Sequence, residues 1–182
     1  MSKTVGIITG SLRKNSFSES IAQYIKNHAP AGLEFKTIEI SKLPLYNQDY
    51  DGADPKEYII FRNEIQALDG VLFITPEHNR SIPAALKNAL DVGSRPYGKN
   101  VWNGKPGAII SHSPGGIGGF GANHHLRQVL TFLNVLTLAQ PEVYIGSYHT
   151  LVDEKGSLSN GDTKAFIDSF LSAFTSWIEK VS

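Results

Sequence analysis

The chain has 182 residues, 41% hydrophobic and 19% charged, which is enough for one well-buried core and short for two, so residues 1–182 are expected to form a single domain. Seventeen basic residues balance seventeen acidic ones, which leaves no electrostatic case for a nucleic-acid or anionic-membrane partner. Cysteine is absent, excluding disulfides, thiolate nucleophiles and thiolate-rich metal sites, so any redox chemistry would have to come from a cofactor.

The N-terminal stretch MSKTVGIITG has too short an apolar run for a signal peptide, and no segment approaches the length of a membrane span. A cytoplasmic protein is expected, and the Asn79-Arg80-Ser81 sequon then carries no weight. Strand-length apolar runs alternate with longer helical patterns along the chain, as in repeated β-α-β units around a parallel sheet. Val5 to Thr9 is the first run. From about Ser16, the apolar positions Ile21, Ala22, Ile25 and Ala29 share one helical face, with Ser16 or Ser18 as cap and Pro30 and Gly32 as stop.

Leu33 to Ile40 alternates apolar and polar residues, predicting a strand near a sheet edge. The loop LPLYNQDYDGADP precedes a helix over Tyr58 to Leu68. Val71 to Thr75 then reads as the central strand. PEHNRSIP interrupts it and leads into a helix over AALKNALDV, with Pro83 tolerated in the first turn. Lys105 to Ile110 is a fourth strand, followed by SHSPGGIGGFG, whose five glycines among eleven residues permit positive φ and close approach to a ligand. A helix from Gly121 or Ala122 to about Leu138, a fifth strand over Glu142 to Ile145 and a closing helix over Thr163 to Lys180 complete the chain.

In an open parallel sheet, ligands bind at the carboxyl ends of the strands. The loops after strands one, three and four all lie there, and all are polar. The first, TGSLRKNSFS, joins an apolar strand to a helix N-terminus, where unpaired amides and the helix dipole favour an anion. Ser11, Arg13, Ser16 and Ser18 add donors and charge. Read alone, the loop is equally an ordinary Ser/Thr cap beside a solvent-facing Arg. It lacks both GxxxxGK[ST] and GxGxxG, so what remains is a cradle for a monophosphate.

The second loop is either a simple turn or a rigid border whose backbone groups and Asn79 meet the polar edge of a planar heterocycle. The third is either flexible filler or backbone beneath a flat ring. His124 and His125 are sequential and point about 100° apart on a helix, so no metal site is expected. The acidic residues Asp49, Asp51, Asp54 and Glu57 read as a solvated surface. No GxSxG occurs, and the first loop lacks the acidic residues of a phosphoacceptor domain.

GSLRKNSFS, LPLYNQD, TPEHNRSIPAALKNALDVGSRP, SHSPGGIGG, HLRQVLTFLNV and PEV together resemble the NADPH-dependent FMN reductase family, which includes bacterial quinone, azo-dye and chromate reductases. The resemblance implies a flavodoxin-like three-layer α/β sandwich with a five-stranded parallel sheet in order 2-1-3-4-5. It implies that FMN is the cofactor, with NADPH or NADH as co-substrate. Its phosphate would be bound by Ser11, Arg13, Ser16 and Ser18, with Phe17 nearby. Pro76, Glu77, His78 and Asn79 would border the isoalloxazine, and His112, Ser113, Gly115 and Gly116 would approach it from the other side.

The family usually has Asn, Tyr and Trp where this chain has Ser18, His78 and Val92, and often Ser where it has His112. The implied activity is hydride transfer from NAD(P)H to flavin, then ping-pong reduction of a quinone-like, azo or metal-oxyanion acceptor, with no side chain acting as nucleophile. A flavodoxin-like electron carrier and a flavin-binding sensor are the rival expectations. The even charge balance argues against the carrier, since such carriers are usually acidic. The resemblance implies a homodimer or homotetramer, and Tyr46, Tyr50 and Tyr58 suit an interface, although a loop packed on its own domain fits them nearly as well.

Overall fold

A computed structural model describes residues 2–182, and Met1 lies outside them. The strands are β1 (Lys3–Thr9), β2 (Leu33–Thr37), β3 (Gly70–Pro76), β4 (Pro106–His112), β5 (Leu136–Thr137) and β6 (Val143–Ile145). The α-helices are α1 (Phe17–Asn27), α2 (Lys56–Gln66), α3 (Ala84–Gly93), α4 (Phe120–Phe132) and α5 (Gly161–Val181). All strand pairings are parallel and the order is β2-β1-β3-β4-β5, with β6 also on β4. This is the expected flavodoxin-like 2-1-3-4-5 sheet, with β3 central and β2 at an edge.

Period-two alternation sends side chains of the inner strands to two cores. Val5, Ile7, Leu72, Ile74, Ala108 and Ile110 pack with α1 and α5. Ile8, Val71, Phe73 and Ile109 pack with α2, α3 and α4 on the other face. Trp102 is fully buried in that second core, and its indole Nε1 donates to Leu90 O at 3.0 Å. Each fully buried Val, Leu, Ile or Phe side chain of these cores contributes about 1.5–3 kcal/mol.

Several elements depart from the sequence expectations. The helix expected to reach Leu138 ends at Phe132, and Asn134 takes a left-handed φ of 58°. Beyond it the Leu136 and Leu138 amides donate to Lys105 O and Gly107 O, each at 2.8 Å. The free edge of β4 captures this apolar stretch as β5, so the fifth strand position is filled by two short segments. The second strand stops at Thr37, and Ile38 and Ile40 turn into the core beneath α2.

The loop tyrosines do not form an exposed set. Tyr58 is 0% exposed, and its hydroxyl donates to Leu45 O at 2.8 Å. Tyr46 is half-buried beneath the Arg95 guanidinium. Tyr58 therefore anchors the loop to its own core and is unavailable to a partner. Among the described residues, no helix is long and apolar enough to cross a membrane.

Candidate functional site

The ends of β1, β3 and β4 open onto one cleft of about 520 Å³. Parallel register sets Thr9 beside Ile74 and Pro76 beside His112, so the three following loops start side by side. Gly10 begins the first loop where space is short, since a Cβ there would lie 3.0 Å from Thr75 Oγ1. Ser11, Arg13, Ser16 and Phe17 line the cleft from this loop.

Helix α1 starts there because Ser16 caps it. Ser16 Oγ accepts the Glu19 amide at 3.1 Å, and the Glu19 carboxylate reaches back to the Asn15 amide at 3.1 Å. Ser16-Phe17-Ser18-Glu19 is thus a capping box shifted by one residue on its return bond. The spacing was present in the sequence as S-x-x-E. The capped first turn presents its remaining amides and the positive end of the dipole at the cleft.

Ser18 takes a different place from the one expected. It is 0% exposed and does not line the cleft; its Oγ lies 2.6 Å from His112 Nε2. His112 does line the cleft and is only 3% exposed. Burial drives its pKa from 6.5 down to about 4, so the ring is neutral at physiological pH. Its Nδ1 is buried without a partner.

From the second loop, Pro76, Glu77 and His78 line the cleft. His78 and Ser81 exchange backbone hydrogen bonds of 2.9 Å, while Asn79 and Arg80 between them have φ of 50° and 64°. Positive φ at both central residues makes this a type I′-like turn. Asn79 is exposed at its tip and is not a cleft residue. The Glu77 carboxylate accepts the Ala122 amide at 3.0 Å and pairs with Arg80 at 3.1 Å, tying this loop to α4. His125, bonded to Ser81 at 2.7 Å, and His124, 3.0 Å from the Tyr144 hydroxyl, point to different partners.

The glycine-rich loop divides in two. Gly118 and Gly119 have φ of 66° and 77°, and a Cβ on either would press on the backbone of Tyr144–Ile145 or His112. They serve the entry into α4. Gly115 and Gly116 have no such φ, and a Cβ at Gly116 would meet nothing within 4 Å. Along with Ser113 they lie outside the cleft lining, although Pro114 between them belongs to it.

Tyr148 completes the cleft, and no local sequence signal marks it. Ser113 N donates to Ile145 O and Ser147 N to Gly115 O, which straps the loop after β6 against the glycine-rich loop. Tyr148 then stacks on Phe17 with ring centroids 4.7 Å apart, and His112 meets both rings edge-on. A polar, cationic first loop and an aromatic wall therefore line one cavity. Such an arrangement accepts a ligand with a phosphate at one end and a flat ring at the other.

The donor set fits FMN. The capped helix terminus, Ser11 and Arg13 suit a phosphomonoester, the Phe17–Tyr148–His112 wall suits an apolar ring system, and the unpartnered buried Nδ1 marks a polar site open to a further contact.

Comparison with known proteins agrees with this geometry. A quinone reductase of Pseudomonas putida is 50% identical over 177 residues, covering 97% of this chain and 95% of that protein. A 2-hydroxy-1,4-benzoquinone reductase of Burkholderia sp. is 41% identical, covering 98% of this chain and 97% of that protein. The solved structure of FerB, a flavoenzyme NAD(P)H:(acceptor) oxidoreductase from Paracoccus denitrificans, superposes with a TM-score of 0.91 at 39% identity and covers 98% of both chains. The family described as NADPH-dependent FMN reductase matches residues 3–150, and the chain belongs to it.

Proposed function

We propose that this protein is an FMN-dependent NAD(P)H oxidoreductase whose acceptor is a quinone. The observation that carries the reading is the single cleft lined together by Ser11, Arg13, the α1 terminus with Phe17, His112 and Tyr148. FMN, when bound, supplies the redox chemistry by accepting hydride from NAD(P)H and passing electrons to the acceptor. The protein's part is binding and orientation. Ser11, Ser16 and Arg13 hold the phosphate, and the backbone of Pro76 to His78 borders the ring.

The exposed Pro114–Gly116 rim carries little side-chain bulk, which supports nicotinamide and acceptor occupying one open face in turn. Ping-pong kinetics follow from such sharing. Azo compounds and metal oxyanions are further acceptors under the same logic. Assembly as a homodimer or homotetramer belongs to this reading, supported by the exposed apolar side chains of Leu45, Tyr97 and Phe132.

The test is to purify the protein, record its absorbance spectrum after FMN add-back, and follow anaerobic bleaching with NADPH and with NADH, then turnover of a benzoquinone. Parallel double-reciprocal lines support the shared face. Protein that binds FMN but is reduced by neither nicotinamide overturns the reading and leaves the electron carrier in its place.

A further inference from the structure

Helix α1 must satisfy two demands at once. On the FMN reading its N-terminus meets a phosphate, and its distance from the end of β4 sets how that phosphate lines up with His112 and Tyr148. Further along, Ile21, Ala22 and Ile25 hold the helix to the sheet through the apolar core. At its first turn the tie is polar: Ser18 Oγ to His112 Nε2, 2.6 Å across 94 residues of sequence, with both side chains buried.

The tautomer of the ring sets the direction of this hydrogen bond, and either one makes it: with Nε2 protonated the ring donates to Ser18 Oγ, and with Nδ1 protonated the Ser18 hydroxyl donates to Nε2. Nδ1 is buried and has no partner. Phe17 and Tyr148 hold the imidazole edge-on at centroid distances of 5.2 and 5.4 Å, which fixes its plane. The ring is neutral and adds no charge to the cleft, so it cannot act as a cationic phosphate ligand.

We propose that His112 is a positioning residue that acts through Ser18 to set the first turn of α1, and that this Ser18–His112 strap confers selectivity for the phosphorylated flavin over riboflavin. The inference rests on the FMN reading above. It assigns the ring a role in phosphate recognition although the ring itself belongs to the aromatic wall.

The experiment compares FMN and riboflavin dissociation constants, by flavin fluorescence, for wild type, His112→Gln, His112→Leu, Ser18→Ala and the Leu/Ala double variant. Loss of one such bond predicts FMN binding weakened about tenfold in Ser18→Ala, which leaves the cleft lining intact, with riboflavin changed less than about twofold. His112→Gln, which keeps both a donor and an acceptor, should stay within about threefold of wild type for FMN. The double variant should lose little beyond either single one, as coupled partners do. Equal weakening of both flavins, or full additivity, overturns the proposal.

A second readout does not need the variants to fold. In ¹⁵N NMR of flavin-free wild type, the His112 ring should be neutral with Nε2 showing the shift of a hydrogen-bonded nitrogen, and a charged ring or a free Nε2 overturns the strap. Wild type that binds neither flavin but shows the hydrogen-bonded Nε2 sinks the FMN reading while leaving the Ser18–His112 bond intact.

Discussion

The Glu77 carboxylate accepts the Ala122 backbone amide at 3.0 Å, so the loop that borders one side of the cleft also caps the helix that begins on the other side. A negative charge at a helix N-terminus is favourable both as hydrogen-bond acceptor and against the dipole. The same carboxylate pairs with Arg80 in the tight turn, and its side chain is only 11% exposed. Glu77 therefore works as a brace between β3 and α4. Glu77→Ala should cost about 1–3 kcal/mol in urea unfolding and raise the quinone KM, with Glu77→Gln intermediate; unchanged stability in both variants would show the brace to be idle.

Arg13 and Ser16 separate charge from capping. Arg13→Ala should weaken FMN about tenfold, leave riboflavin unchanged and flatten the salt dependence of FMN binding, since a charge-assisted contact is lost. Ser16→Ala removes the cap acceptor of Glu19 N, so it should cost about 1 kcal/mol of stability as well as FMN affinity. Equal effects of Arg13→Ala on both flavins would place Arg13 away from the phosphate.

His112 makes stability depend on pH in a defined direction. Its folded pKa is depressed to about 4 by burial, against 6.5 for an exposed imidazole. Between those values the unfolded chain binds a proton that the folded one does not, so the stability contribution is complete above pH 6.5 and is lost as pH falls towards 4. The loss amounts to about 3 kcal/mol at its limit. Urea unfolding of the flavin-free protein at pH 7.5 and pH 4.5 should show a steeper fall for wild type than for His112→Gln. Parallel pH profiles would contradict the burial argument.

His78 lines the cleft and is exposed. Its substitution should act on the acceptor more than on the cofactor. His78→Tyr is expected to change KM for quinones severalfold while the FMN dissociation constant stays within about twofold, a difference well below the 1.4 kcal/mol of a tenfold change. Steady-state kinetics with two quinones of different size would reveal the effect, and an unchanged KM for both would remove His78 from acceptor recognition.

Gly93 closes α3 directly against Trp102, and a Cβ at this position would press into the indole ring. Trp102 is fully buried and bonded to Leu90 O, so it has little room to yield. Gly93→Ala should destabilise by about 1–3 kcal/mol through overpacking, visible as a lower urea midpoint with an unchanged slope. A neutral result would mean that the α3–Trp102 contact relaxes freely.

By itself the sequence determined the alternation of elements, the central place of Val71–Thr75 and a serine cap at Ser16 or Ser18, because each depends on neighbours within one helical turn or on a period of two. It also located the three loops, since polar turns after apolar strands are local signals. Tertiary structure decided the rest. The stretch from Leu133 to Leu138 has apolar spacing that a helix would accept, yet the unpaired edge of β4 offers Lys105 and Gly107 carbonyls, and pairing with them wins. Tyr148 reaches the cleft only because the loop after β6 is strapped to Gly115. Ser18 reads as a ligand to phosphate and is instead turned inward to His112, 94 residues away. No local pattern encodes a contact of that range, and its energy exists only once the parallel sheet has brought the ends of β1 and β4 to the same cleft.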